Sequence, residues 1–107
     1  MNQWGSQAIS NTAWAYAKLS IPAPAFFKLI DQNANEIMKN GTSQAISNIV
    51  WSFATLSIST PTFFKLIDEN ASEIINNGTP QAISNVAWSF ATLSIPAPNF
   101  FKLADKN

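Results

Sequence analysis

The sequence predicts an all-α fold: a right-handed α-solenoid of three 37-residue helix-pair repeats, the last of them truncated. The segment Gln-Ala-Ile-Ser-Asn recurs at Gln7, Gln44 and Gln81, and a fixed period of about 20–50 residues is typical of stacked repeats. Apolar residues within each repeat fall at helical spacing, and Pro and Gly recur between the predicted helices. We therefore expect a single helical-repeat domain over residues 1–107, with repeats 7–43, 44–80 and 81–107.

The first helix of each repeat is predicted to begin near the Gln and to run to about Ser20, Ser57 or Ser94. Before the third copy, Thr79-Pro80 is typical of a helix start, because Thr can cap free N–H groups and Pro fits the first helical position. Gly41 and Gly78 are expected to adopt the left-handed conformation that ends the preceding helix.

The second helix of each repeat is predicted to start near Pro24, Pro61 or Pro98, which gives six helices with the last one short. Thr60 before Pro61 again predicts a capped start. The paired phenylalanines 26–27, 63–64 and 100–101 belong to an apolar stripe and are expected in the core. The opposite side is expected to be a solvated outer face, with residues Lys28, Gln32, Asn35, Lys65, Glu69 and Ser72.

The composition excludes several classes of chemistry. The chain has no Cys and no His, so thiolate nucleophiles, imidazole bases and the usual zinc ligands are absent. We expect no enzyme activity, no cofactor and no metal. No apolar run reaches the roughly 20 residues that span a bilayer, so no membrane association is expected. The six cations balance six acids, although nucleic-acid binding usually uses a basic surface.

The N-terminal residues do not resemble a targeting segment. Residues 1–6 lack the basic and apolar regions of a secretory signal, and a chain without Arg does not read as a transit peptide. Any organellar address is expected outside this sequence. The third repeat stops about ten residues before its second helix should finish. We therefore expect an excerpt of a longer array or an array with a stunted end.

Two first-helix segments read Gln7-Ala-Ile-Ser-Asn-Thr-Ala-Trp-Ala-Tyr-Ala-Lys-Leu19 and Gln81-Ala-Ile-Ser-Asn-Val-Ala-Trp-Ser-Phe-Ala-Thr-Leu93. They resemble the octotricopeptide and heptatricopeptide repeats. The same pattern is similar to arrays in proteins with a RAP domain and in kinetoplastid RNA-editing substrate-binding proteins. The resemblance implies a superhelix of the armadillo, HEAT or pentatricopeptide kind that binds single-stranded RNA in a mitochondrion or plastid. It implies a role in RNA processing, stability or editing. A protein-interaction scaffold is the alternative, favoured by the zero net charge.

A polar stripe along the first helices is the candidate binding site, on what we expect to be the concave side. Its Asn side chains can bond a base edge, or they can bond a neighbouring carbonyl and fix the stacking of repeats. The Trp side chains can likewise stack on bases or wedge between repeats in the core. The candidate site residues are Asn11, Lys18, Asn48, Ser52, Thr55, Asn85, Ser89 and Thr92, and the Trp residues are Trp14, Trp51 and Trp88.

Overall fold

The computed structural model describes residues 4–106, and every regular element in that range is an α-helix. Residues 1–3, part of the stretch judged not to be a secretory signal, and Asn107, the last residue of the predicted third repeat, lie outside the described range. The described helices are α1 (Ser6–Lys18), α2 (Pro24–Gln32), α3 (Ala34–Asn40), α4 (Ser43–Thr55), α5 (Pro61–Glu69), α6 (Ala71–Asn77), α7 (Pro80–Thr92) and α8 (Pro98–Lys106).

The helices form two layers. In the first layer, α1 packs against α4 and α4 packs against α7. In the second layer, α5 packs against α2 and α3, and α8 packs against α5 and α6. Between the layers lies a chain of buried phenylalanine rings whose neighbouring centroids are 5.2–6.0 Å apart; it includes Phe27, Phe53, Phe64, Phe90 and Phe100. Each stretch of chain therefore packs mainly on the stretch one period away.

The second helical segment is broken in two, so the prediction of six helices is wrong. α2 ends at Gln32 and α3 begins at Ala34, because Asn33 leaves the helical conformation with φ −103° and ψ 19°. Its side-chain amide donates to the Leu29 carbonyl at 2.7 Å. Asn often makes such local bonds at the expense of helix continuation. Asn70 repeats the break between α5 and α6.

The first helices end at a left-handed serine. Ser20, Ser57 and Ser94 have φ of 55°, 58° and 55°. After α1, the Ile21 N–H donates to the Tyr16 carbonyl at 2.9 Å and the Ser20 N–H donates to the Ala17 carbonyl at 3.1 Å. This pair of bonds is the Schellman motif, in which glycine is the usual left-handed residue. Here serine holds that position three times.

The two glycines before the next first helix are not left-handed, so that prediction is wrong. Gly41 has φ −81° and Gly78 has φ −83°, both extended. They are glycines for a different reason: a Cβ would lie 2.6 Å from the Ile37 carbonyl oxygen at the first position and 2.5 Å from that of Ile74 at the second. The chain thus runs too close to the preceding helix for any side chain.

The helix starts differ between the layers. Thr42 and Thr79 each accept a hydrogen bond from a backbone N–H three residues on, at 3.1 Å, so the predicted Thr79 cap is confirmed. Thr60 makes no such bond, and its buried hydroxyl has no hydrogen-bond partner among residues 4–106, so the predicted Thr60 cap is wrong.

The helices α5 and α8 are capped instead by an aspartate from the preceding repeat. The Phe63 N–H donates to Asp31 Oδ1 at 2.8 Å, and the Phe100 N–H donates to Asp68 Oδ1 at 2.8 Å. We call these two bonds the aspartate clamps. Each joins residues 32 positions apart, so a helix start in one repeat depends on a side chain of another.

Candidate nucleic-acid interface

The exposed side of α1, α4 and α7 brings together most of the predicted stripe; we call it the first-helix face. Residues three or four positions apart lie on the same side of a helix. In each repeat, a Gln, an Asn, a Trp and a Lys or Thr follow one another at spacings of four, three and four, so they share one side of the first helix. The face consists of Gln7, Asn11, Trp14 and Lys18 on α1, Gln44, Asn48, Trp51 and Thr55 on α4, and Gln81, Asn85, Trp88 and Thr92 on α7.

Each Asn of this face is oriented by a Gln of its own helix. The Gln Nε2 donates to the Asn Oδ1 one turn later, at 3.1 Å in α1 and α4 and 3.3 Å in α7. Among residues 4–106, these bonds stay within one helix, and none joins an Asn side chain of the face to a neighbouring repeat. Within the described residues, the Nδ2 donors of Asn11, Asn48 and Asn85 have no partner in the protein. One fixed amide donor per repeat is thus left to bind something else.

Ser52 and Ser89 do not belong to the face, which corrects the predicted stripe. Both are 0% exposed, and their hydroxyls donate to the carbonyls of Asn48 and Asn85 at 2.7 Å. They lie in the seam where one first helix packs on the previous one. The matching residue of α1 is Ala15, which is exposed. Small residues in this seam allow the helices to approach closely, and a ligand cannot reach them.

The three face tryptophans form a ladder along the surface. The Trp14 and Trp51 ring centroids lie 6.5 Å apart and those of Trp51 and Trp88 lie 6.4 Å apart, with interplanar angles of 26° and 29°. Trp14 and Trp88 are 43% and 47% exposed, and Trp51 is half-buried. They therefore bridge repeats as expected but are not core residues. At these separations the neighbouring rings do not fully cover one another, and part of Trp14 and Trp88 is open to a ligand.

The paired phenylalanines of the second layer differ in how deeply they are buried. Phe27, Phe63, Phe64 and Phe100 are buried as expected, and Phe26 is half-buried. Phe101 is 43% exposed, because no described helix covers the far side of α8.

The charge of the face is low. Lys18 is its one cation, and its Nζ lies 5.6 Å from the Trp14 ring centroid. Thr55 and Thr92 occupy the equivalent positions and are exposed. The predicted outer-face residues of the second layer, including Lys28 and Lys65, are exposed as expected. The first-helix face therefore offers hydrogen bonds, exposed aromatic side chains and little charge.

Residues 4–106 contain no group of three His, Cys, Asp or Glu residues placed to hold a metal ion. Among the described helices, none has both the length and the apolar character needed to cross a membrane.

The model of one protein family, the RNA-editing substrate-binding complex 6 protein family, matches residues 1–106. The chain belongs to this family. That assignment connects it with RNA editing and confirms the resemblance to RNA-editing substrate-binding proteins. No curated protein and no solved structure matches the chain.

Proposed function

We propose that this chain is an α-solenoid of three 37-residue repeats whose first-helix face binds single-stranded RNA of an editing complex. The row of three unpartnered Asn Nδ2 donors, one on each first helix, carries the proposal. A donor repeated at a fixed spacing suits a ligand that also repeats, such as a nucleotide chain. The octotricopeptide-like character of the repeats, and the concave shape of this side, are part of the same proposal.

Binding would combine three kinds of contact. An Asn amide can bond the edge of a base that is not paired. The exposed Trp side chains beside the Asn residues supply apolar contact, and Lys18 supplies attraction for phosphate. Helical-repeat proteins that recognise single-stranded RNA bind about one base per repeat, so three repeats would bind about three bases. Few phosphates are neutralised, so affinity is expected to be weak with a shallow salt dependence.

The role proposed is binding without catalysis, in the mitochondrion. The family takes its description from an RNA-editing substrate-binding complex. The resemblance of the repeats to kinetoplastid RNA-editing substrate-binding proteins implies a mitochondrial complex. The plastid alternative has no comparable support, so we do not retain it.

The decisive experiment removes the three Nδ2 donors and keeps their geometry. In the triple variant Asn11→Asp, Asn48→Asp and Asn85→Asp, each Asp can still accept the bond from its Gln. We expect the Kd for a short single-stranded RNA, measured by fluorescence anisotropy, to rise at least tenfold, or about 1.4 kcal/mol. Melting by circular dichroism should change little.

A matched control places the same three negative charges on the second layer. Gln32→Glu, Asn35→Asp and Ser72→Asp are all at exposed positions, and Glu is already present at the equivalent position 69. This control should shift the Kd by less than about twofold, since surface charges far from a ligand are screened. Equal losses in the two triple variants would mean that only net charge matters and would refute the assignment of the face.

A smaller test compares two lysines. Lys18→Gln on the first-helix face should weaken RNA binding and reduce the salt slope by about 0.7, as expected for one lost contact to single-stranded phosphate. Lys65→Gln on the outer face removes the same charge and should leave the slope unchanged. If Lys65→Gln has the larger effect, the two sides of the molecule have been assigned the wrong way round.

The zero net charge favours a second candidate, a scaffold for protein partners. The Trp ladder is an exposed aromatic surface of the kind that is enriched at protein interfaces. This candidate predicts that the parent chain binds no single-stranded RNA at low salt, while Trp14→Ala and Trp88→Ala release a protein of the editing complex. RNA binding lost in the Asn variant would decide against it.

A further inference from the structure

The first-helix face differs between the repeats at a single position. Its Gln, Asn and Trp residues are the same on α1, α4 and α7, whereas its last position holds Lys18 on α1, Thr55 on α4 and Thr92 on α7. All three of these side chains are exposed. The α4 and α7 repeats therefore present identical side chains on this face, and the α1 repeat presents one that differs in charge and in hydrogen bonding.

The spacing of the Trp ladder is too wide for a stacked strand with one base per repeat. Equivalent rings lie 6.5 Å and 6.4 Å apart, about twice the roughly 3.4 Å rise between stacked bases of one strand. A strand that places one base on each repeat must therefore be unstacked on this face. An unstacked base exposes its Watson–Crick and Hoogsteen edges to side chains, so each repeat can contact its own base separately.

Lys18 is placed to contact the base of the α1 repeat. Its Nζ lies 5.6 Å from the Trp14 ring centroid, a distance at which an aromatic ring attracts an ammonium group, so its charge is held beside the ladder. The ammonium group has three N–H donors and no acceptor. Guanine offers two neighbouring acceptors, O6 and N7, and this edge is a common specific partner of Lys. Adenine is less suitable, because it places an amino donor beside its N7.

The α4 and α7 repeats carry a less selective group at the same place. The hydroxyls of Thr55 and Thr92 have no hydrogen-bond partner among residues 4–106. A hydroxyl donates one bond and accepts others, so it fits the edges of several bases. Because the other face residues of these two repeats are also the same, both repeats should rank the bases in one order.

We propose that the side chain at positions 18, 55 and 92 sets the base preference of each repeat, so that Lys18 makes the α1 repeat select guanine. The α4 and α7 repeats share a second, weaker preference. This inference rests on the proposed binding of RNA by the first-helix face. It goes beyond the attraction of Lys18 for phosphate, because a phosphate contact changes the affinity for all sequences alike, whereas a base contact acts on one base at one position.

The test locates the preferred guanine in a three-base RNA. The probes carry UUU, GUU, UGU or UUG between flanking abasic nucleotides, so that three bases meet three repeats. Binding is measured by fluorescence anisotropy at low salt. For the unmodified chain, guanine at one end should lower the Kd at least about fivefold more than guanine at either other position, as expected for a specific base contact. Guanine at those two other positions should change the Kd equally.

Two double variants keep the net charge and move the lysine. Lys18→Thr with Thr55→Lys should transfer the guanine preference to the middle base, and Lys18→Thr with Thr92→Lys should transfer it to the opposite end. The control Lys65→Thr with Thr62→Lys makes the same exchange on α5, where both side chains are exposed, and should leave the preference at its original end. Melting by circular dichroism should be unchanged in all three variants, because every exchanged side chain is exposed.

The possible failures separate this inference from the proposed function. If the unmodified chain binds all four RNAs equally, or if the guanine preference stays in place when the lysine moves, the base preference is overturned and RNA binding stands. The same holds if Lys18→Thr alone weakens binding to all four RNAs by one factor, since Lys18 would then contact only phosphate. If the unmodified chain binds none of the four RNAs, the proposed function fails and this inference fails with it.

Discussion

The two layers of this protein reach similar helical structure by different routes. The first-layer helices α4 and α7 are capped by their own Thr42 and Thr79 and end at their own left-handed serines. The second-layer helices α5 and α8 take their caps from an aspartate of the preceding repeat, and the second-layer segments break at Asn33 and Asn70. The caps of α4 and α7 are therefore specified locally, whereas α5 and α8 gain theirs only when the preceding repeat is in place.

That difference suits a division of labour. Locally specified helices hold the first-helix face in a fixed geometry, with Gln–Asn pairs formed inside each helix. The neighbour-dependent layer couples the repeats, since each clamp forms only when two repeats are correctly stacked. Repeat proteins gain their cooperativity from such nearest-neighbour terms.

The largest expected effect is on stability, and it compares the loss of an aromatic side chain from the core with the loss of one from the surface. Phe53→Ala removes a ring that is 0% exposed and contacts Phe27, Phe63 and Phe64. We expect a loss of about 3–5 kcal/mol, which brings a domain with about 5–15 kcal/mol of stability close to unfolding. Urea denaturation measures it. Trp88→Ala at the exposed end of the ladder should cost less than about 1 kcal/mol, and a cost equal to that of Phe53→Ala would show that the ladder supports the fold as strongly as the core.

The next effect tests the dependence of the second layer on its neighbour. Asp68→Ala leaves the Phe100 N–H without a cap and should cost about 0.5–2 kcal/mol, the range for losing an N-terminal cap. Asp105→Ala removes the same side chain at a position that makes no clamp among residues 4–106, so the melting temperature should stay within about a degree. Two equal losses would mean that the aspartates act through their own helix and not across the junction.

The locally specified parts are those that sequence reasoning found. The starts of the second helices at Pro24, Pro61 and Pro98 and the Thr79 cap depend on residues within a few positions of each other, and all four agree with the structure. The family pattern of the first helix gave the link to RNA editing. Each of these signals is contained in a single turn or a single helix.

The missed parts all depend on how neighbouring helices meet. Asp31 reads as one more solvated acid until α5 is placed beside it. Ser52 is about 80° from Gln44 around the helix, at about 100° per residue, which is far enough round to fall under α1. The Trp residues recur at one position in each repeat, but recurrence alone does not distinguish a wedge in the core from a ladder on the surface. A helical wheel gives the directions of the side chains of one helix relative to each other. It does not show which of these side chains lie in the seam against the next helix.

A matched pair of threonines sharpens the comparison further. Thr79 and Thr60 both precede a Pro at a helix start, but only the Thr79 hydroxyl accepts a bond, from the Ala82 N–H at 3.1 Å. Thr79→Val should therefore cost about 1 kcal/mol. Thr60→Val replaces a buried hydroxyl without a partner by a methyl group and should be neutral or stabilise by up to about 1 kcal/mol. Thermal melting of both variants measures this, and a loss at Thr60 equal to that at Thr79 would show that Thr60 caps after all.

The smallest expected effect concerns the serines that end the first layer. The left-handed conformation costs a residue with a Cβ roughly 1–2 kcal/mol. A change to glycine removes this cost, but the larger entropy of glycine in the unfolded state offsets part of the stabilisation. Ser57, with φ 58°, is exposed, so Ser57→Gly should stabilise the chain by about 0.5–1 kcal/mol. Ser59→Gly, two residues on and also exposed but without a positive φ, changes only the unfolded state and should destabilise by about 0.5 kcal/mol. Opposite shifts in melting temperature are therefore expected from the same substitution at neighbouring positions. If both variants melt lower than the parent, the left-handed serine carries no strain, and the first layer ends in a conformation that serine tolerates as well as glycine does.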